Sequence, residues 1–280
     1  MKANRLKRIQ SLLGLSLLMA CVAQVGVPAH AHELPVSGFA DEIVGGVSVT
    51  DRDAIEKSVV ALYRQAGTTG MLCSATLIAK DMAVTAAHCV DQGIDGMVVI
   101  FGNDIQADAK DAVRVIGSEI QPAWSAAHPN DQDLGDIAVI RFDGELPDGF
   151  KPARLAPPKM SISAGETVVL AGYGITNAKS QAGAGVLRKA EVKIINPAFG
   201  KTEMILDQRD GSGACHGDSG GPAFITKTSR GKEVTYLVGV TNRSYPDAAP
   251  DDCKQQVVYT KVMPYRSWIS ASEKELRRIR

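Results

Sequence analysis

Ser219 sits in Gly217-Asp218-Ser219-Gly220-Gly221-Pro222, a serine among glycines. Glycine backbone can turn tightly enough to expose a hydroxyl beside inward-pointing amides, so this turn is a candidate nucleophile site. A serine hydroxyl is a poor nucleophile at neutral pH. It needs an imidazole to take its proton, and the imidazole needs a carboxylate to hold its tautomer. The turn also fits G-x-S-x-G, the nucleophile elbow of α/β-hydrolases, which requires an acid and then a histidine after the serine. All five histidines (30, 32, 88, 128 and 216) precede Ser219, which excludes that arrangement. The chain does offer the order His, Asp, Ser. Its candidates are His88, in Thr85-Ala86-Ala87-His88-Cys89, and Asp136, in Gly135-Asp136-Ile137-Ala138-Val139-Ile140, where a carboxylate starts an apolar strand. Asp133 is a rival to Asp136, but no strand follows it directly. His128 and His216 read as surface or rim residues.

The elements that must position these groups read as all-β. Short, β-branched-rich runs at 59–63, 75–78, 97–100, 137–140, 167–170, 192–195, 236–240 and 257–259 are separated by Gly, Pro, Asn and Asp. Helical periodicity is convincing only after Pro264, where Tyr265, Trp268, Ile269, Leu276 and Ile279 recur at three- and four-residue steps. Arg277, Arg278 and Arg280 suit the negative end of that helix. Pro147, Pro152, Pro157 and Pro158 mark a polar crossing between two β-rich halves, and 174–185, rich in Gly, Ala, Asn and Ser, predicts an exposed, mobile loop.

The histidine, aspartate and serine motifs, in this order, resemble those of the chymotrypsin/trypsin family, and Ile43-Val44-Gly45-Gly46 resembles that family's mature N-terminus. The match continues through Val257-Val258-Tyr259-Thr260-Lys261-Val262 and the terminal helix. The resemblance implies two six-stranded antiparallel Greek-key barrels with a C-terminal α-helix, spanning about 43–155 and 156–262 with the helix at 264–280. It implies a serine endopeptidase with His88, Asp136 and Ser219 as its triad and the N–H groups of Gly217 and Ser219 as its oxyanion hole. Asp218 would pair with the new ammonium of Ile43 after cleavage, so activity would fall at high pH as an amine raised above about 8 loses its proton. Glu42 stands where trypsin-like precursors usually carry Arg or Lys, which argues against activation by a trypsin-like enzyme.

Residues 1–31 read as a signal peptide, with a basic start, an apolar run from Leu12 to Ala23 and a small-x-small site at Ala29-His30-Ala31. The apolar run is shorter than the ~20 residues of a membrane span, so no stable membrane insertion is expected. Residues 32–42 would be a propeptide, and Leu18-Met19-Ala20-Cys21 offers a lipoprotein-like alternative. An exported chain with Cys73, Cys89, Cys215 and Cys253 suggests two disulfides. Local order favours Cys73 with Cys89 and Cys215 with Cys253. A zinc site using these cysteines with His88 and His216 lacks C-x-x-C spacing. Two disulfides, fewer than most animal members carry, point towards a bacterial source. Asp104, Asp108 and Asp111 lie where some relatives bind calcium, but no metal or cofactor is expected. Lys plus Arg and Asp plus Glu both number 31, so no global field favours nucleic acid. The expected partners are protein or peptide substrates and an activating protease, with the enzyme a monomer.

By the same resemblance, Gly213, Ala214, His216, Asn242, Arg243, Ser244 and Val257 would line the pocket for the P1 side chain. Gly213 replaces the aspartate that selects Lys or Arg, and Val257 replaces a glycine. The first expectation is a small or medium aliphatic P1, because a filled pocket excludes large side chains. The second, from Arg243, His216 and Glu42, is an acidic P1. A catalytically silent, protease-like binding protein is the alternative from another class.

Overall fold

The computed structural model describes residues 43–49, 55–66, 69–124, 131–229, 231–246 and 252–279. The expected signal peptide and propeptide, Cys21, Glu42, His128 and Arg280 lie outside the described residues.

Thirteen strands are present among the described residues: β1 (Val47–Ser48), β2 (Val59–Ala66), β3 (Thr69–Ala79), β4 (Met82–Thr85), β5 (Met97–Ile100), β6 (Val113–Ile120), β7 (Ala138–Phe142), β8 (Thr167–Gly172), β9 (Arg188–Asn196), β10 (Glu203–Asp207), β11 (Pro222–Ser229), β12 (Lys232–Tyr245) and β13 (Gln256–Lys261). A short helix, α1 (Ile105–Asp108), follows β5, and α2 (Arg266–Leu276) follows β13. Strands β2-β3-β4-β7-β6-β5 close one antiparallel barrel. Strands β8-β9-β10-β13-β12-β11 close a second, because β8 pairs with both β9 and β11. In each barrel three hairpin-connected strands are joined by a fourth lying beside the first, β5 beside β2 and β11 beside β8, the Greek-key order.

The sequence pattern explains the closure. In β9 buried and exposed residues alternate, so one face fills the barrel and the other meets solvent. β4 is buried at all four positions because it lies between β3 and β7 in the wall. Five strands escape the hydrophobic-run reading, for particular reasons. β1 and β4 are very short, β6 is interrupted by Gly117, β11 opens on Pro222, and β10 opens on a glutamate. The N-terminal segment falls within the expected first lobe, about 43–155, yet β1 pairs with β9 of the second barrel. The loop at 174–185 also departs from expectation. Only residues 177–182 form an exposed or half-exposed tip, while Gly174, Ile175, Thr176, Gly183 and Gly185 are buried. Hydrogen bonds from Ile175 N to His216 O and from Gly185 N to Tyr173 O hold its two ends.

The terminal helix docks on the first barrel, burying Ile269 and Leu276 in its core. Arg141, on β7, donates to the carbonyls of Leu276 (3.0 Å) and Ile279 (2.6 Å) and to Asp81 (3.1 Å). The guanidinium thus adds a second donor to the Leu276 carbonyl, which also accepts from Ile279 N, and holds the Ile279 carbonyl beyond the helix end. The helix therefore ends where the barrel supplies a donor. Asp81 is buried, and removing the arginine takes away its nearer partner, leaving it the 3.4 Å contact with Arg277. Arg141→Ala should lower the urea-unfolding free energy by about 2 kcal/mol or more; an unchanged midpoint would show that the helix docks without it.

Candidate active site

His88 follows β4 in a tight turn over Ala87–Cys89, pinned by the Cys73–Cys89 disulfide, whose Cα atoms are 6.3 Å apart. Its ring Nδ1 lies 2.8 Å from Asp136 Oδ2, and its backbone N–H donates to Asp136 Oδ1 at 3.0 Å. Asp136 has no solvent exposure, whereas the His88 side chain is 32% exposed. One carboxylate oxygen therefore orients the ring and the other holds the backbone that carries it. Burial of the ring opposes its charging, but the Asp136 charge, its hydrogen bond and then Asp91 outweigh this and raise the His88 pKa above 6.5. Trp124 stands beside the ring, its centroid 6.4 Å away, and its Nε1 donates to Asp91 at 3.2 Å.

Asp133, the rival carboxylate, is engaged elsewhere. It accepts from Lys201 N (3.1 Å), Thr202 N (2.6 Å) and Thr202 Oγ1 (2.6 Å). These bonds hold it at φ 60°, a left-handed conformation that costs a non-glycine residue about 1 kcal/mol. Gly135, at φ 70°, makes the bend into β7; a Cβ there would come within 2.9 Å of the Ala123 carbonyl carbon.

Ser219 is brought to the same place by backbone contacts between the barrels. Its carbonyl accepts from Ser74 N at 2.8 Å, and the Cys89 sulfur lies 3.7 Å from that oxygen. Ser74 Oγ donates to Gly217 O at 3.1 Å. Within the turn, the N–H groups of Asp218, Gly220 and Gly221 donate to Cys215 O, Thr241 O and Asp218 O. Those of Gly217 and Ser219 have no such acceptor among the described residues. Gly217 has φ 94°, and a Cβ there would sit 2.9 Å from Gly174 Cα, so close approach as well as conformation requires glycine.

Asp218 is buried and accepts from Gly174 N and Cys215 N, each at 2.8 Å. Burial pushes its carboxyl up to about 6, against those two hydrogen bonds and the charges of Arg188 and His216. Ile43 is also buried, and Val44 O accepts from Gly213 N at 3.0 Å, five residues before Asp218.

A cavity of about 200 Å³ opens beside Ser219, lined among others by Ala214, His216, Asn242, Arg243, Ser244 and Val257, all expected there. Gly213 is not among the lining residues, a correction. The direction of a side chain at 213 is taken by Gln208, a residue the sequence reading missed. The buried Gln208 amide donates to Ala214 O and Cys253 O at 3.0 Å and accepts from Ala214 N at 2.7 Å, so it backs the wall. Arg243 is not presented as an open cation. Its guanidinium pairs with both oxygens of Glu203 (2.9 and 3.0 Å) and donates to Asp131 O. Asp252, also unanticipated, lines the cavity with its carboxyl held below the usual range by Gln255 and the Lys254 N–H. Glu203 carried a signal in the sequence, an acid directly before the apolar run Met204-Ile205-Leu206.

The four cysteines form the two expected disulfides, Cys73–Cys89 and Cys215–Cys253. The sulfurs that would have been zinc thiolates beside His88 and His216 are therefore joined to each other. Asp104 caps α1 by accepting from Gln106 N at 2.9 Å, and Asp108 accepts from Asp104 N at 3.1 Å. Two of the three acids considered for calcium thus order their own loop.

Two Greek-key barrels meeting at an Asp–His pair and a glycine-flanked serine are the architecture of a serine-type endopeptidase. Comparison with known proteins agrees: the family model described as Trypsin matches residues 43–269, and the chain belongs to that family. It is 29% identical over 246 residues to chymotrypsin from Phaedon cochleariae, covering 81% of each chain. It is 27% identical over 219 residues to trypsin-1 from Astacus astacus, covering 71% of this chain and 87% of that one. Among solved structures, mouse neuropsin, a serine protease, superposes with a TM-score of 0.64 at 24% identity, over 82% of this chain and all of the other, a likeness of fold. No helix among the described residues is long and apolar enough to cross a membrane.

The Asp218 carboxyl has a stability consequence in the uncleaved chain. Between its ordinary value of 3.8 and about 6, the folded chain keeps a proton that the unfolded chain has released. Stability contributed by this group is therefore present at low pH and declines through that window, by about 3 kcal/mol in all. Urea titrations of the uncleaved Ser219→Ala chain between pH 4 and 6.5 should show this decline, and Asp218→Asn should flatten it. Equal slopes in the two chains would mean that the carboxyl is not buried as described.

Proposed function

We propose that this chain is an exported serine endopeptidase in which His88, Asp136 and Ser219 form the catalytic triad, acting on peptides with a small, uncharged P1 residue. The observation that carries the reading is the 2.8 Å contact between His88 Nδ1 and the fully buried Asp136, on the same turn whose Cys89 sulfur lies against Ser219. With Nδ1–H donated to Asp136, the other ring nitrogen is left as the base. It takes the Ser219 proton as Oγ attacks the scissile carbonyl, and returns it to the leaving amine. The acyl-enzyme then forms and is hydrolysed by water through the same base. The unclaimed N–H groups of Gly217 and Ser219 would receive the oxyanion, each donor worth about 3 kcal/mol in comparable sites. The raised His88 pKa fits an imidazolium stabilised by Asp136.

Activation follows from Asp218. Burial outweighs the charges of Arg188 and His216 on this carboxyl, and the ammonium of Ile43, released by cleavage after Glu42, would supply a direct partner. The cleavage would remove 32–42 after the signal peptide has directed export. Two disulfides remain the support for a bacterial source, although the relatives named above are animal proteins.

For specificity, the geometry favours the aliphatic expectation over the acidic one. Arg243 is neutralised by Glu203, Asp252 would repel an acid, and Gln208 and Val257 back the cavity.

A fluorophosphonate should label the processed chain at Ser219 and not label Ser219→Ala; an unlabelled processed chain would instead favour the binding-protein reading. Asp136→Asn should lower kcat by about 10⁴-fold. Because the base must be neutral, kcat/KM should fall as pH drops through a value above 6.5, and Asp136→Asn should move that limb to lower pH. In a peptide-library digest, alanine, valine or residues of similar size should dominate P1; dominance of Asp and Glu, or of Arg and Lys, would overturn the specificity assignment.

A further inference from the structure

Glu203 is a charge with no solvent exposure at the start of a strand that otherwise reads EMILD. Its carboxylate gathers donors from two elements that are far apart in sequence. From β12 come Arg243, through both terminal nitrogens, and Asn242 Nδ2 at 3.3 Å. From the loop before β7 comes Leu134 N, also at 3.3 Å. Arg243 reaches that loop as well, donating to Asp131 O.

The β12 side of this arrangement is made by a bulge. The pairing of β12 with β13 shifts register between Thr241 and Arg243, leaving Asn242 as the extra residue. Its amide turns inward to Glu203 and to Thr260 Oγ1 at 3.1 Å. Asn242 and Arg243 are also walls of the cavity beside Ser219.

On the other side, the turn before β10 and the loop before β7 hold each other reciprocally. Asp133 sends its carboxylate to the N–H groups of Lys201 and Thr202, and Glu203 sends its own to the N–H of Leu134. Only Gly135 separates Leu134 from Asp136. Gly135 itself packs so closely on the 123–124 backbone that an added Cβ would lie 2.9 Å from the Ala123 carbonyl carbon, so a displacement of Leu134 has a single, closely packed residue through which to reach Asp136.

Stability alone does not account for such a pair. A buried ion pair is often no more stabilising than apolar side chains of the same volume, whereas its hydrogen-bond directions are fixed by the planar guanidinium and carboxylate. The arrangement specifies geometry. We propose that Glu203 is a positioning residue for the proposed catalysis: it locks the Asp136 loop of the first barrel to the cavity wall of the second, and so holds Asp136 in register with His88. This rests on the triad reading given above.

The test is the rate at which a small fluorophosphonate labels Ser219, which reports nucleophile activation independently of P1 preference. In the folded, processed chain, Glu203→Gln should slow labelling at least tenfold. The Nδ1–H proton resonance of His88, read by NMR, should move from its wild-type position or broaden. In an Asp136→Asn background the same substitution should change the rate less than twofold, because its route of action is already gone. Arg141→Ala, which weakens the fold away from the site, should label within twofold of wild type. Should Glu203→Gln not fold with Arg243 left unpaired, the double replacement Glu203→Leu/Arg243→Met removes the charge and the loop contacts together and should slow labelling to the same extent. A labelling rate and an Nδ1–H resonance unchanged in a folded Glu203 variant overturn the proposal, as do losses that multiply with those of Asp136→Asn. A wild-type chain that is never labelled would instead overturn the triad reading.

Discussion

A carboxylate with no access to water is tolerable only where hydrogen bonds and a partner replace its hydration, and Asp136 meets that condition through one residue, His88. Its two oxygens take the backbone N–H and the ring Nδ1 of that histidine. The imidazole is thus fixed in position and tautomer by a single buried group, which with Asp91 also raises its affinity for a proton. Much of the surrounding structure serves this contact: the 73–89 disulfide behind the histidine, the left-handed turn at Asp133, and the bend at Gly135 that starts β7.

Close backbone approach is the second recurring constraint. A Cβ at Gly172 or Gly174 would collide with the Asp218 carboxylate, and one at Gly220 would meet Thr85 and Ser74. Gly172 and Gly174 let the serine turn lie on the end of β8 in its own barrel, and Gly220 lets it lie on β3 and β4 of the other, where Ser74 supplies both an N–H for Ser219 O and a hydroxyl for Gly217 O. The arrangement also explains why the 174–185 segment is not a free loop. Its glycines, which in isolation suggest mobility, are close-packed: Gly174 against Asp218, Gly183 against Thr176 and Gly185 against Ile105.

Charge is handled differently on the two sides of the cavity. Arg243, which by residue type invites an acidic substrate, is turned by the bulge at Asn242 towards a buried glutamate that no spacing rule connects to it. Asp252 is left ionised at the cavity, and Gln208 occupies the direction in which a side chain at 213 would project. The balance of the site comes from pairings that cross between strands and loops, and a list of lining residue types does not contain it.

What the chain's sequence determined by itself was an all-β class, the order His88, Asp136, Ser219, the glycine turn and the terminal helix, while the two barrels came from the resemblance to the chymotrypsin/trypsin family. The former rest on local pattern: short β-branched-rich runs, backbone freedom at glycine, and the direction in which a histidine, an acid and a serine succeed one another. Short or interrupted strands such as β4 and β6 were illegible because four residues or a central glycine carry too little periodicity, and β10 because its glutamate masks a buried strand. Only the tertiary structure decided what engages Asp133 in place of the imidazole, that Gln208 stands against Gly213, and that Arg243 belongs to Glu203. Each of those is a contact between residues distant or unpatterned in sequence, and its energy exists only once the two barrels have excluded water from the groups concerned.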